Sequence, residues 1–207
     1  MIGDKSEVRQ KFITHFNEQI SKFIESMSNA YFNWKNFDFN IGTDEKKAYI
    51  SSLIYSAING HIVSIKIFLS GYMIAAGNLQ RQVIETLAIA LLCSDSSLDI
   101  VDRYMNDKYS TNKTVRDVLR NFKKLNLNKN ALQVLEHAYL FYHDYSHPSK
   151  LSLASLISFS EKGKLYLGAF FDIGKINEYT KEINGRVSLA NIFDNIVDGI
   201  RINVSRW

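Results

Sequence analysis

Tyr72-Met73-Ile74-Ala75-Ala76-Gly77-Asn78-Leu79-Gln80-Arg81-Gln82-Val83-Ile84-Glu85-Thr86-Leu87-Ala88-Ile89-Ala90-Leu91-Leu92-Cys93 decides the fold class. Read at 3.6 residues per turn, Tyr72, Ala76, Leu79, Val83, Leu87 and Ala90 share one face. Ile74, Ala88 and Leu92 lie on the opposite side. A helix that is apolar nearly all round sits in the middle of its domain. Ala75, Ala76 and Gly77 leave room for a neighbouring backbone to approach closely. Arg81 and Glu85 interrupt this apolar surface. They are four residues apart and can touch, with Arg preceding Glu, the weaker order for an isolated pair. A buried charge needs partners, so the pair is expected to reach beyond its own helix, towards His143 or Asp144. It then acts as an ion pair tying two helices together, as a group that orients a site, or as both.

Working outward, helical patterns dominate and there is a single proline, which argues against an all-β fold. Val8, Phe12, Phe16, Ile20, Phe23, Met27, Tyr31 and Trp34 recur in steps of three and four, predicting a helix from about Asp4 to Trp34. A loop is expected over Asn36–Thr43, with Thr43 or Asp44 capping a second helix that runs to about Ser70. Ser70-Gly71 should kink or end it. Shorter helices are expected over Leu98–Tyr109 and Thr114–Leu125, then one from Lys129 to Ser146. The pattern weakens after Pro148. Gly163–Asp172 could hold short strands or a turn. A last amphipathic helix, Gly185–Trp207, is carried by Ile192, Phe193, Ile196, Val197 and Ile200. The expected architecture is a single all-α domain over residues 1–207, an up-and-down helical bundle. Residues 1–35 form a long N-terminal helix and 44–147 the core helices. The expected C-terminal third, 148–207, is irregular, a turn or short hairpin followed by the last helix.

Bulk chemistry narrows the function less. The net charge of +4 is compatible with an acidic partner such as RNA, and equally with a plain solvated surface. One cysteine, Cys93, excludes an internal disulfide, and its apolar neighbours point to a buried structural thiol. The N-terminal residues lack the apolar core of a secretory signal, and no uncharged apolar run is long enough to span a bilayer. A cytoplasmic, non-membrane protein is the simplest expectation. No phosphate-cradling loop, dinucleotide fingerprint or G-x-S-x-G elbow is present.

The densest proton-handling segment is Phe141-Tyr142-His143-Asp144-Tyr145-Ser146-His147-Pro148. On the helix expected there, Ala131, Val134, Leu135, Ala138, Phe141, Tyr142 and Tyr145 face inward. Glu136, His143 and His147 lie on the other side. Three readings stay open. His143 and His147 at i and i+4 could share a metal ion, although no glutamate follows the first His and no second His/Cys cluster is visible. They could act as general acid and base. They could simply complement the negative end of the helix dipole. No cofactor is implied by any motif. Arg116, Arg120, Lys123 and Lys124 fall at helical spacing, so one face could meet phosphate, or be an ordinary solvated face.

With long antiparallel helices followed by a short polar motif ending in His, the chain resembles the HEPN superfamily. These are helical domains of prokaryotic antiviral defence and toxin–antitoxin proteins. The family motif is Arg, four to six residues, then His. His147 matches the His, and the Arg position at the four-residue spacing is Tyr142. The chain is also similar to uncharacterised bacterial helical proteins with an Arg-x-x-x-Glu helix followed by a Ser/His helix end, a likeness covering Ile54 to Ala154. The first resemblance implies a homodimer and metal-independent RNA cleavage, through activation of a ribose 2′-hydroxyl. His147 or His143 would then be the base, with Arg81 and Glu85 positioning it or binding phosphate. Tyr142, Asp144 and Ser146, with Arg116, Arg120, Lys123 and Lys124, would line the substrate path. With no Arg at the motif position, the competing expectation is a non-catalytic helical subunit or regulator that binds a protein partner. Its aromatic faces (Phe12, Phe16, Phe23, Tyr31 and Trp34) would include the partner surface.

Overall fold

The computed structural model describes residues 6–145 and 148–207. Among them are eight α-helices and no strand: α1 (Ser6–Phe39), α2 (Glu45–Leu69), α3 (Met73–Ser94), α4 (Ile100–Met105), α5 (Thr114–Asn121), α6 (Lys129–His143), α7 (Lys150–Leu156) and α8 (Ile176–Val204). The all-α bundle expected from the sequence is the observed architecture.

Local chemistry sets most of the boundaries. Asp44 caps α2 by accepting from the backbone N–H of Lys47, and Asn128 caps α6 by accepting from Ala131. Ser149 and Ser152 form a reciprocal capping box at the start of α7, directly after Pro148. Ser70-Gly71 ends α2 rather than kinking it. Gly71 has φ +85°, and a Cβ there would come within 2.7 Å of the Phe170 carbonyl oxygen and of Val8. The first helix outlasts its expected end at Trp34 because buried Phe37 gives its last turn something to pack. It also carries a break at Phe16, where φ −124° and ψ 24° leave the helical region.

Two helices make the centre. Residues from both ends of α3 are buried, in line with its apolar circumference. The other central helix, α8, begins at Ile176, nine residues before the start expected at Gly185. Its inward stripe runs through Tyr179, Glu182, Ile183, Arg186, Ala190 and Phe193. The two charged residues in that stripe hide its apolar period. Phe12 meets Tyr179, and Asn33 donates to Asp194, so α1 runs parallel to α8. Phe12 meets Phe68 and Trp34 donates to Ser51, so α2 runs antiparallel to α1. Tyr142 meets Glu182, whereas Asn126, just before α6, meets Asn203, so α6 runs antiparallel to α8. Asn203 and Trp207 both bond to Ser94, tying the end of α8 to the end of α3.

The irregular part of the C-terminal third is confined to the stretch between α7 and α8. It holds a single antiparallel bridge, Ile157 with Leu165, in place of a developed hairpin. Among the described residues one helix, α2, is long and apolar enough to cross a membrane by length and composition. Here it packs against α1, α3 and α8 and buries Ser51, His61 and Ser64, each hydrogen-bonded.

Candidate functional site

Two charged pairs organise the end of the bundle where α6 stops. The first is Arg81–Glu85 on α3, with Arg81 Nε donating to Glu85 Oε1 at 2.9 Å. The pair is half-buried rather than buried, which corrects the expectation from its apolar neighbours. Neither Arg81 nor His143 is without other contacts. One turn before Arg81, Gly77 lies against Tyr145 so closely that a Cβ would overlap the ring. The small residue in α3 thus admits an aromatic ring, where the sequence suggested a neighbouring backbone. This contact places the Arg81 face of α3 beside the end of α6.

At that end His143 and Asp144 are exposed. The His143 ring lies 6.2 Å from that of Tyr139, and the Asp144 carbonyl accepts from Ser149 Oγ at 2.7 Å. Ser146 and His147 lie outside the described residues. Tyr142 and Tyr145 turn the other way. Tyr142 is fully buried, so it is not on the face that His143 presents to solvent.

The second pair is Glu182–Arg186 on α8, which the sequence analysis did not single out. Arg186 is wholly buried, and its Nη1 donates to the Glu182 carboxylate and, at 3.0 Å, to the Tyr142 hydroxyl. The Tyr142 and Tyr145 hydroxyls both donate to Glu182. The guanidinium also sits over the rings of Phe68 and Tyr142, at 4.8 and 5.3 Å from their centroids. Burial alone would push Arg186 down, but Tyr142 and Glu182 outweigh it and hold the guanidinium charged. Burial and the neighbouring Glu182 carboxylate drive Tyr145 upward, so it remains a phenol.

His61 of α2 closes this centre. Its Nε2 lies 3.1 Å from the Arg186 carbonyl and its Nδ1 lies 2.9 Å from Gln80 at the atom assigned as Oε1. Burial pushes His61 down to about 4, so the ring is neutral and donates only once. The Arg186 carbonyl can only accept, so the proton is on Nε2 and Nδ1 accepts from the Gln80 amide nitrogen. That orientation also gives a partner to the Gln80 nitrogen, which would otherwise be buried without one. The signal for this centre in the sequence is a charged pair at i and i+4 inside an apolar stripe. It resembles Arg81–Glu85 and was obscured by the late start assigned to α8.

The buried centre offers no room for substrate. The cavity beside Tyr145, Glu182 and Lys175 is about 50 Å³, against several hundred for a ligand pocket. Lys175, also buried, donates from Nζ to the Ala154 and Ser155 carbonyls at the end of α7 and is ringed by Phe159 and Phe170 at 5.0 Å. An open groove of about 410 Å³ between α6 and α8 has Tyr142 in its lining and also presents His137 and Lys181, neither singled out by the sequence.

The basic residues behave differently from their expected helical stripe. Arg116 and Arg120 are exposed on α5, and Arg120 lies 3.7 Å from Asp117. The helix ends at Asn121, so Lys123 and Lys124 sit in the following turn instead of continuing the face. That turn closes through Asn126 at φ 53°. All four remain solvent-exposed. Among the described residues no group of three or more His, Cys, Asp or Glu side chains is arranged to hold a metal ion. Cys93 is buried and its thiol is pushed up to about 12, so it is not poised as a nucleophile.

Comparisons with protein-family profiles, with curated proteins and with solved structures found no match.

Proposed function

We propose that this chain is a HEPN-like protein of bacterial defence or toxin–antitoxin type that acts on or binds RNA in the cytoplasm as a homodimer. In its catalytic form it is a metal-independent ribonuclease in which His143 or His147 takes the 2′-hydroxyl proton. Arg81, oriented by Glu85, meets the phosphate. The observation that carries the reading is the seat of Tyr145 on Gly77, which brings the face of α3 that carries the half-buried Arg81 against the end of α6, the helix end that also carries the exposed His143. Tyr142, at the family's Arg position, is held in the interior by Arg186 and Glu182, so Arg81 is the cation left to stabilise the developing phosphate charge. Arg116, Arg120, Lys123 and Lys124 supply exposed charge for a backbone.

The test is RNA cleavage in EDTA by wild type, Arg81→Ala and the His143→Ala/His147→Ala double variant. Cleavage by wild type that is lost in both variants supports the reading. Unchanged cleavage and binding in the double variant overturns it. The second reading is a non-catalytic interaction subunit, favoured by the buried Tyr142 at the motif position. A stable hetero-complex by light scattering, with no nuclease activity, would select it.

A further inference from the structure

Ile20, Ile24, Met27 and Phe32 of α1 and Ile62 and Leu69 of α2 line an open groove of about 480 Å³. Ile24 and Phe32 are 59% and 65% exposed, which is unusual for large apolar groups gathered on one face. The charged residues lining the groove are Arg9 and Lys66, both cations. Neither side chain forms an ion pair or hydrogen bond among the described residues. Because α1 and α2 run antiparallel, with Phe12 against Phe68, both cations lie at the same end of the groove.

We propose that this groove receives an amphipathic helix of a partner protein, carrying an apolar stripe and carboxylates at one end. Two observations choose that occupant. The walls are helices whose lining residues step by three and four (Ile20, Ile24, Met27, Tyr31), the spacing that accepts the ridge of a third helix. Sites that hold small ligands enclose most of the ligand surface, whereas walls this exposed can only be covered from above. The paired cations then select acidic residues at the near end, where an acidic first turn would also suit the incoming helix's own dipole. From Arg9 to Phe32 the α1 wall spans about 35 Å at 1.5 Å per residue, long enough for roughly six turns of partner helix.

The test is selection from a display library of helix-forming 18-residue peptides on the full chain, followed by affinities of the synthetic peptides. The expected winners carry apolar residues at i, i+3 or i+4 and i+7, with Asp or Glu clustered at one end. Ile24→Asp/Phe32→Asp should weaken them by at least about tenfold. Arg9→Glu/Lys66→Glu should weaken them about two- to fivefold at low salt and less at high salt. All four positions are exposed, and circular dichroism checks that the variants fold. Three outcomes would overturn the proposal. One is that no selected peptide depends on Ile24 and Phe32. Another is that the winners carry basic ends. The third is that the chain alone forms a dimer that Ile24→Asp/Phe32→Asp dissociates, which assigns the groove to a second copy.

Discussion

Arg81–Glu85 on α3 and Glu182–Arg186 on α8 are the same chemistry at the same spacing, and the fold uses them in opposite ways. The side chains of Glu182 and Arg186 are 5% and 0% exposed, and two tyrosine hydroxyls and two aromatic faces surround them. Those of Arg81 and Glu85 are 17% and 24% exposed. A pair sealed from water can hold helices in register but cannot meet a substrate. A pair at the edge keeps part of its surface in contact with solvent and contributes less to stability. Burial, not residue identity, divides the two pairs.

The largest test of that contrast is Glu182→Gln. It leaves Arg186 charged in the interior with its carboxylate gone, and should cost about 3–5 kcal/mol in denaturant unfolding. A loss below about 1 kcal/mol would mean that the centre is not a locked ion pair. The next concerns His61 and pH. The unfolded ring binds a proton near 6.5 and the folded ring only near 4, so its contribution is complete above pH 6.5 and is lost as pH falls towards 4. The loss should be about 3 kcal/mol. A His61→Leu variant should lack that part of the slope between pH 6.5 and 4, and an unchanged slope would place a charged His61 in the core.

Gly77→Ala forces Tyr145 off its seat, and overpacking there should cost about 1–3 kcal/mol. It should also reduce any Arg81-dependent RNA activity, since it separates α3 from the end of α6. At the half-buried pair, a double-mutant cycle with Arg81→Ala and Glu85→Ala should give less than about 1 kcal/mol of coupling in stability. A coupling as large as that at Glu182 would erase the distinction between the two regions. The smallest effect concerns Cys93. Its buried thiol should stay unreactive to a disulfide reagent in native protein and react on unfolding.

Fold class was readable because periodicity is a local property. The stripe from Val8 to Trp34, the apolar circumference of Tyr72–Cys93 and the cap at Thr43 or Asp44 all depend on near neighbours in the chain. The start of α8 was not readable in the same way, because Glu182 and Arg186 look solvent-facing until Tyr142 and Tyr145 are known to lie across from them. Lys123 and Lys124 show the converse. Their spacing fits a helix, but the backbone leaves it at Asn121.

The sequence by itself determined that this chain is a helical bundle with α3 in its interior, that Thr43 or Asp44 starts a helix, and that His143 faces away from the core. Only the tertiary structure decided which of two Arg–Glu pairs is buried and that His61 is neutral. It alone decided that Gly77 exists to admit the Tyr145 ring. The reason is physical. Helix periodicity is set within a few residues, whereas desolvation of a charge or an imidazole depends on what distant segments bring against it.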